Sequence, residues 1–229
     1  MGCILKGGGG LYSRLVVGAV VLASGNGEKV GGRPTCLLEL GGVALIRRLL
    51  IALSGAGVDE VVVVLGLHAE AIEPALQDFP ITVVRNNDRA GSRASSLRVG
   101  LAALAGKLDA VLLTNADQPM INAQDLTQLI GAYKKRPEGK AMVMPQVDGV
   151  VGKPVILSAD VREQMLAGPT PVDVDEWRAV HGDLVSDFVS PNKRYRVDIA
   201  GPDDIARFEA STGHRLLWPA TLIQTADAG

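Results

Sequence analysis

LVVGAVVLASGNGEKVGGRP, residues 15–34, is the stretch on which the fold turns. Its first nine residues are an unbroken apolar run, valine-rich and far too short to span a bilayer. Runs of that kind are strands buried on both faces, the habit of a parallel sheet. At Ser24 the run stops, and Gly25, Asn26, Gly27, Lys29 and Arg33 follow. Small residues let backbone N–H groups converge on phosphate oxygens, and the two cations can neutralise a triphosphate. The spacing fits neither G-x-G-x-x-G nor G-x-x-x-x-G-K-[ST]. The segment is either an unconventional phosphate loop or a plain strand-to-helix turn, and its length and charge favour the loop.

Working outward, the same alternation repeats. VDEVVVVLG (58–66), ITVV (81–84), LDAVLLTNA (108–116) and AMVMP (141–145) read as further strands. Between them, residues 43–57, 68–77, 93–106 and 123–136 carry helical periodicity. The first ends in glycines, as a helix C-terminus does. The last has Asn122 and Asp125 placed to cap its start, with Lys134, Lys135 and Arg136 at its end. Alternating β and α segments predict a Rossmann-like, doubly wound, mostly parallel α/β sheet. After Pro145 the texture changes. VDGVVGKPVILS suggests paired extended segments and 159–167 a helix. GPTPVDVDE suggests a loop, LVSDFVS and RYRVDI antiparallel strands, and PDDIARFEASTG a closing helix opened by proline. A small β lobe inserted near 145–200 is therefore expected, with the chain from Trp218 loosely held.

The 229 residues are 47% hydrophobic and 21% charged, enough for a sizeable core and unlike a disordered chain. Lys and Arg number 23 against 25 Asp and Glu, so no basic bias argues for nucleic acid. Cys3 and Cys36 make no disulfide framework or metal cluster, which fits a reduced, cytoplasmic setting. The opening MGCILKGGGG has no apolar run of signal length, and no segment suggests a membrane partner.

Four places can hold chemistry. The first is the loop itself. In the second, LLTNADQPMI, Asp117 lies just past a buried strand, where open α/β sheets bind ligands. A carboxylate there can hold Mg²⁺ against nucleotide phosphates; its other reading, a helix cap, suits Asn122 and Asp125 better. In the third, NNDRAGSRASSLRVG, Asn86, Ser95 and Ser96 precede or begin a helix, and the two serines either contact a ligand or cap the helix. In the fourth, Asp198 ends a segment and is either a second carboxylate near the metal or part of a turn. Lys153, in GVVGKP, either meets an anionic substrate or is solvated. His68, His181 and His214 have no metal-binding spacing and read as structural.

In order from about Val16 to Thr212, these segments resemble the nucleotidyltransferases of molybdenum cofactor, the molybdopterin cytidylyltransferase branch above all. LASGNGEKVGGRPTCLLELGG is similar to the family's opening L-A-A-G-x-[SG]-x-R-[MF]-G followed by K-x-L-L-x-x-x-G. NNDRAGSRASSLRVGLAAL resembles N-x-x-x-x-G-x-x-x-S-L-x-x-G-L, LLTNADQPMI resembles L-x-x-D-Q-P, MPQVDGVVGKPVILS resembles P-x-x-x-G-x-x-G-x-P, and VDIAGPDDIARFE resembles D-I-D-T-P-E-D-L. The resemblance implies the nucleotide-diphospho-sugar transferase type of fold. It divides the chain into a flexible lead-in (1–15), a single NTP-transferase-like domain (16–212) and a C-terminal tail (213–229).

The resemblance also implies an activity: Mg²⁺-dependent transfer of CMP, or less closely GMP, from a nucleoside triphosphate to molybdopterin, with release of pyrophosphate. Ser24 is nearer the alanine of the cytidylyl branch than the glycine of the guanylyl branch. Leu22, Ala23, Ser24, Gly25, Asn26, Gly27, Asn86, Ser95 and Ser96 would bind nucleotide, and Lys29, Arg33 and Asp117 would be catalytic. Gln118, Gly152 and Lys153 would bind the acceptor, and Asp117 with Asp198 the metal. A molybdoenzyme or its maturation chaperone is the implied protein partner. The chain departs from the pattern at Thr35, where the family has lysine, at Lys29, where it has arginine, and at Ala200, where it has aspartate. Losing one cation from a transferring phosphate costs on the order of 10²- to 10³-fold in rate. A non-catalytic nucleotide- or pterin-binding accessory protein is therefore a second reading, and a sugar phosphate acceptor a third.

Overall fold

A computed structural model of the chain describes residues 14–88 and 91–223. The expected lead-in, up to residue 13, and residues 224–229 of the tail lie outside the described residues. The strands are β1 (Val17–Ala23), β2 (Glu39–Leu40), β3 (Val43–Ala44), β4 (Glu60–Leu65), β5 (Thr82–Arg85) and β6 (Ala110–Asn115), followed by β7 (Met142–Val147), β8 (Val150–Val151), β9 (Val155–Ser158), β10 (Val185–Val189) and β11 (Leu216–Leu217). The helices are α1 (Leu45–Gly55), α2 (Ala69–Ile72), α3 (Arg93–Ala103), α4 (Ala123–Lys134), α5 (Ala159–Ala167), α6 (Val174–Val180), α7 (Pro202–Thr212) and α8 (Ala220–Ile223).

The main sheet has the order β10-β7-β9-β6-β1-β4-β5, with β8 paired to β7. β1 runs parallel to both β4 and β6, and β4 parallel to β5. Only β9 and the short β8 run against their neighbours. The chain leaves β1 toward β4 and β5 and then crosses back to β6 on β1's other side. That reversal is a topological switch point. Alternation along β1 splits the core: Ala19 and Val21 face α1 and α4, while Val20 faces α3 with Val62 and Val64. α1 buries Leu45, Ile46, Leu49, Leu50 and Leu53 on one stripe. Gly100 lets α3 lie close on the sheet, since a Cβ there would stand 2.4 Å from Val20 Cγ1.

A second sheet, β11-β2-β3, is small and antiparallel. Gly41 and Gly42 both take positive φ, the conformation of a tight hairpin between β2 and β3. Leu38, Leu40, Leu45, Ile199, Phe208 and Leu216 form a satellite core beside it.

The second half differs from the sequence reading in several respects. The strands expected as a lobe near 145–200 continue the main sheet beyond β6. LVSDFVS is a strand, but it pairs parallel to β7 rather than antiparallel. RYRVDI is no strand: Lys193–Arg196 is a 3₁₀ turn, pinned by the long-range bonds described below. The Pro/Asp-rich segment ends in α6, started by a capping box in which Glu176 accepts the Asp173 N–H at 2.9 Å. Residues 68–77 divide into α2 and a 3₁₀ turn, Glu73–Leu76. The chain near Trp218 is fastened, since Leu216 and Leu217 pair with β2. No helix among the described residues is long and apolar enough to cross a membrane.

Candidate active site

The parallel register aligns the carboxyl ends of the central strands. Leu22 lies opposite both Val64 and Asn115, and Leu65 opposite Arg85. The loops after β1, β4, β5 and β6 therefore open at one edge of the sheet. They enclose a cavity of about 770 Å³ whose lining includes Leu22, Ser24, Gly25, Asn26, Asn86, Ser96 and Asp117.

The hydroxyls and amide there form one network. Asn86 Nδ2 donates to Ser95 Oγ (2.8 Å) and Ser96 Oγ (2.9 Å), and Ser24 Oγ donates to Ser96 Oγ (2.8 Å). Two hydrogen bonds thus converge on the buried Ser96 hydroxyl. Ser92, not Ser95 or Ser96, is the N-cap of α3, its Oγ accepting the Ser95 N–H at 3.0 Å. The cap reading of Ser95 and Ser96 thus falls to Ser92. Asn86 holds its place through its backbone N–H, which donates to Leu65 O (2.8 Å). His68 is structural, as expected, and its Nε2 lies 2.8 Å from Asn26 O, tying the first loop to the start of α2.

The first loop is a tight fold. Val30 and Gly32 both donate to Gly27 O at 2.9 Å. Gly27 has φ +65°, and a Cβ there would stand 1.9 Å from the Arg33 carbonyl oxygen, so only glycine fits. Lys29 runs alongside Gly201: a Cβ built there would lie 3.6 Å from Lys29 Cβ and Cδ. Ala23 faces the core and offers only backbone. Neither Lys29 nor Arg33 lines the cavity.

Asp117 sits where the halves of the molecule meet. Its Oδ1 is buried with no hydrogen-bond partner. Burial, reinforced by the nearby charge of Asp198, pushes its carboxyl up to about 6 against the attraction of Lys153 and Arg93. Ile199 donates to Asp117 O at 3.0 Å, which holds the Asp198 segment beside it. Cys36, in the turn that carries Thr35, is pushed up to about 12 by burial and then by the Asp117 charge. Among the described residues no three His, Cys, Asp or Glu side chains converge on a metal position. Two carboxylates, one with an orphaned oxygen, do suit an octahedral cation that takes its other ligands from phosphate and water.

A second cavity, about 390 Å³, adjoins the first through Arg93, which lines both. Lys153, Gly152 and Arg178 line it, over an apolar floor that includes Leu113 and Met144. Gln118, expected to touch substrate, is instead a buried strut: Thr114 Oγ1 donates to its Oε1 (2.8 Å), and its Nε2 donates to Lys153 O (3.0 Å). From the other side Lys153 N–H donates to Tyr195 O (2.7 Å). Tyr195 and Arg194 are anchored on Asp125, which is fully buried. Tyr195 OH donates to Asp125 O (2.7 Å), Arg194 to its carboxylate at 2.7 and 2.9 Å, and Asn192 Nδ2 at 2.7 Å.

Arg93 is the principal residue that sequence reasoning missed. It pairs with Asp173, the cap of α6, at 3.2 Å. A cation in the first turn of a helix opposes the helix dipole, and that signal marked it. Arg178 and Leu67 were missed as well; Leu67 lines the larger cavity although 80% exposed.

Residues 19–183 match the MobA-like NTP transferase domain family. Among curated proteins, the chain is 31% identical over 140 residues to a bifunctional enzyme IspD/IspF of Clavibacter michiganensis, covering 58% of this chain and 34% of that one. It is 30% identical over 118 residues to nicotine blue oxidoreductase of Paenarthrobacter nicotinovorans, covering 52% and 57%. The matches thus span from about a third to somewhat over half of those relatives. Among solved structures, Rv0371c from Mycobacterium tuberculosis superposes with a TM-score of 0.70 at 25% identity, covering 85% of this chain and 97% of that one. A second structure of Rv0371c is a complex with manganese, superposing with a TM-score of 0.67 at 24% identity. The fold is that of the nucleotide-diphospho-sugar transferases, and the chain belongs to the family of MobA-like NTP transferase domains.

Proposed function

We propose that the protein transfers a nucleotidyl group, CMP before GMP, from a nucleoside triphosphate to a phosphate monoester, molybdopterin first. The observation that carries this reading is the pair of adjoining cavities: one lined by the glycine, serine and asparagine groups of the first three loops, the other holding Lys153, with Arg93 common to both. The choice of acceptor rests on the sequence resemblance; neither curated relative is named for molybdenum chemistry. The setting consistent with it is cytoplasmic, with a molybdoenzyme or its maturation chaperone receiving the product.

In the reaction an oxygen of the acceptor phosphate bonds to the α-phosphorus. The bond from that phosphorus to the β-phosphate oxygen breaks, and pyrophosphate leaves with the electron pair. Such transfer depends on positioning and charge neutralisation. Ser24, Asn86 and Ser96 orient the nucleoside, and the backbone from Ser24 to Asn26 receives the triphosphate, with Lys29 supplying charge from outside the cavity lining. Lys153 and Arg93 draw the acceptor phosphate toward Asp117. Asp117 and Asp198 would hold Mg²⁺, which when bound supplies positive charge to the phosphates. Family membership and the manganese complex of Rv0371c support a divalent ion here.

A second reading, binding without turnover, is favoured by Thr35 and Ala200. The test is pyrophosphate release with Mg²⁺, a molybdopterin-type acceptor and CTP, GTP or ATP in turn. Release with CTP supports the transferase. Silence with all three, alongside tight nucleotide binding in calorimetry, selects the accessory protein. Release only when a sugar phosphate replaces the pterin would correct the acceptor.

A further inference from the structure

The chain beyond the family match returns to the first loop. Leu216 and Leu217 pair antiparallel with β2, and the Leu216 N–H donates to Glu209 Oε1 at 3.0 Å. The Leu216 side chain is buried in the satellite core with Leu38 and Leu40. Trp218, the next residue, lies against the Arg33 guanidinium, whose carbon stands 4.2 Å from the ring centroid. Otherwise Arg33 is held by its Nε, which donates to Val30 O at 3.1 Å. Among the described residues, no hydrogen bond or ion pair engages its two terminal nitrogens. An arginine with one face on an aromatic ring and its terminal donors unspent is preorganised to fork onto a phosphate. Its backbone packs on Gly27 at the start of the loop. The family's lysine position, two residues on, is Thr35.

We propose that Trp218 is the positioning residue for Arg33, and that the pair supplies the first loop with the polyphosphate-binding cation that position 35 lacks. The proposal rests on the nucleotide reading of this loop. The strand β11 fixes where Trp218 stands, and Trp218 fixes the plane of the guanidinium. The sequence resemblance placed Arg33 among the catalytic residues; the structure adds what holds it.

The test uses inorganic tripolyphosphate with Mg²⁺ as probe and calorimetry on the whole chain. Arg33→Ala should weaken binding by about tenfold or more, the loss of a charged hydrogen-bonding group. Trp218→Ala should weaken it by about two- to five-fold, the range of a cation–π contact near the surface, and Trp218→Phe should restore most of that. The double variant Arg33→Ala/Trp218→Ala should bind no worse than Arg33→Ala alone, because Trp218 acts through Arg33. A merely structural Trp218 would give losses that add, and that result overturns the proposal. So does a Trp218→Ala protein that binds as well as the parent, or a parent that does not bind tripolyphosphate. Should the expected pattern appear with no pyrophosphate released from any nucleotide, the transferase reading fails and the role of Trp218 stands.

Discussion

The two cavities are built by different means. The nucleotide-side cavity stands on β1, β4, β5 and β6, parallel strands whose register alone brings Ser24, Asn86 and Asp117 to one edge. The acceptor-side cavity depends on a buried polar chain running from Asp125 through Tyr195 to Lys153. The first kind of site is written in local sequence, because a strand, a turn and a helix start are each a few residues long. The second kind depends on partners about seventy residues apart. Each half should therefore fail in its own way.

The largest effect is expected where the halves meet. Asp117→Ala removes the buried carboxylate of the larger cavity, which feels the charges of Lys153 and Arg93 on the smaller one. Turnover should fall on the order of 10³-fold, about 4 kcal/mol in the barrier, while the protein stays folded. Pyrophosphate assays with thermal melts as control check this, and an active Asp117→Ala enzyme would leave the catalytic role of this carboxylate without support.

Asp125→Ala should break one half alone. It strands Arg194 and Asn192, while the Tyr195 hydroxyl keeps the backbone carbonyl of residue 125 as acceptor. Breaking a buried pair costs about 3–5 kcal/mol; Arg194 is 38% exposed and can turn to water, so the low end is expected. Denaturant melts measure this loss. Because Arg194 and Asn192 lose their anchor beside Tyr195, whose backbone carbonyl holds the Lys153 N–H, KM for the acceptor should rise while nucleotide affinity holds. Equal damage to both would mean that the two cavities share one scaffold.

This contrast accounts for what was legible in the sequence. The valine runs, the glycines after Ala23, Asp117 and the Asn122/Asp125 cap are local signals, and the structure contains each of them. That Asp125 also receives Arg194 is invisible to periodicity, and so RYRVDI read as a strand when its backbone is bent into a turn. LVSDFVS alternates as an antiparallel strand does, yet it sits at the sheet's edge parallel to β7. Alternation reports one-sided burial, not direction. The start of α6 was legible and missed: Asp173 followed three residues later by Glu176 is the pattern of a capping box. Arg93 could have been found from its charge at a helix N-terminus.

A smaller effect concerns pH and again tests the meeting point. Asp117 titrates at about 6 in the fold against 3.8 in the unfolded chain, because burial and Asp198 disfavour its charge. The folded state therefore holds the proton more tightly. The stabilisation that this confers is present below about pH 4 and is lost as pH rises through about 6. Without divalent metal, stability should decline across that window by on the order of 1–2 kcal/mol relative to Asp117→Asn. Denaturant midpoints at both ends of the window, with chelator present, make the measurement. A parent that matches Asp117→Asn at both ends would show that Asp117 is solvated.

The smallest expected effects separate two serines at the start of α3. Ser92 caps α3, and Ser92→Ala should cost about 1 kcal/mol of stability. Nucleotide affinity should change little, because Asn86 and Ser24 hold Ser96 independently of the cap. Ser96→Ala should do the reverse. It removes the hydroxyl that joins Ser24 to Asn86 in the lining of the larger cavity, so nucleotide affinity should fall by about 1 kcal/mol, roughly five-fold. Its side chain is buried, so Asn86 Nδ2 keeps Ser95 as acceptor and the fold loses little. If both variants lost stability and neither lost affinity, the serines would be helix furniture only, and the nucleotide side would rest on backbone alone. If each variant lost only its own property, the cap and the contact would be two functions set four residues apart on a single helix turn, the separation that sequence could not make.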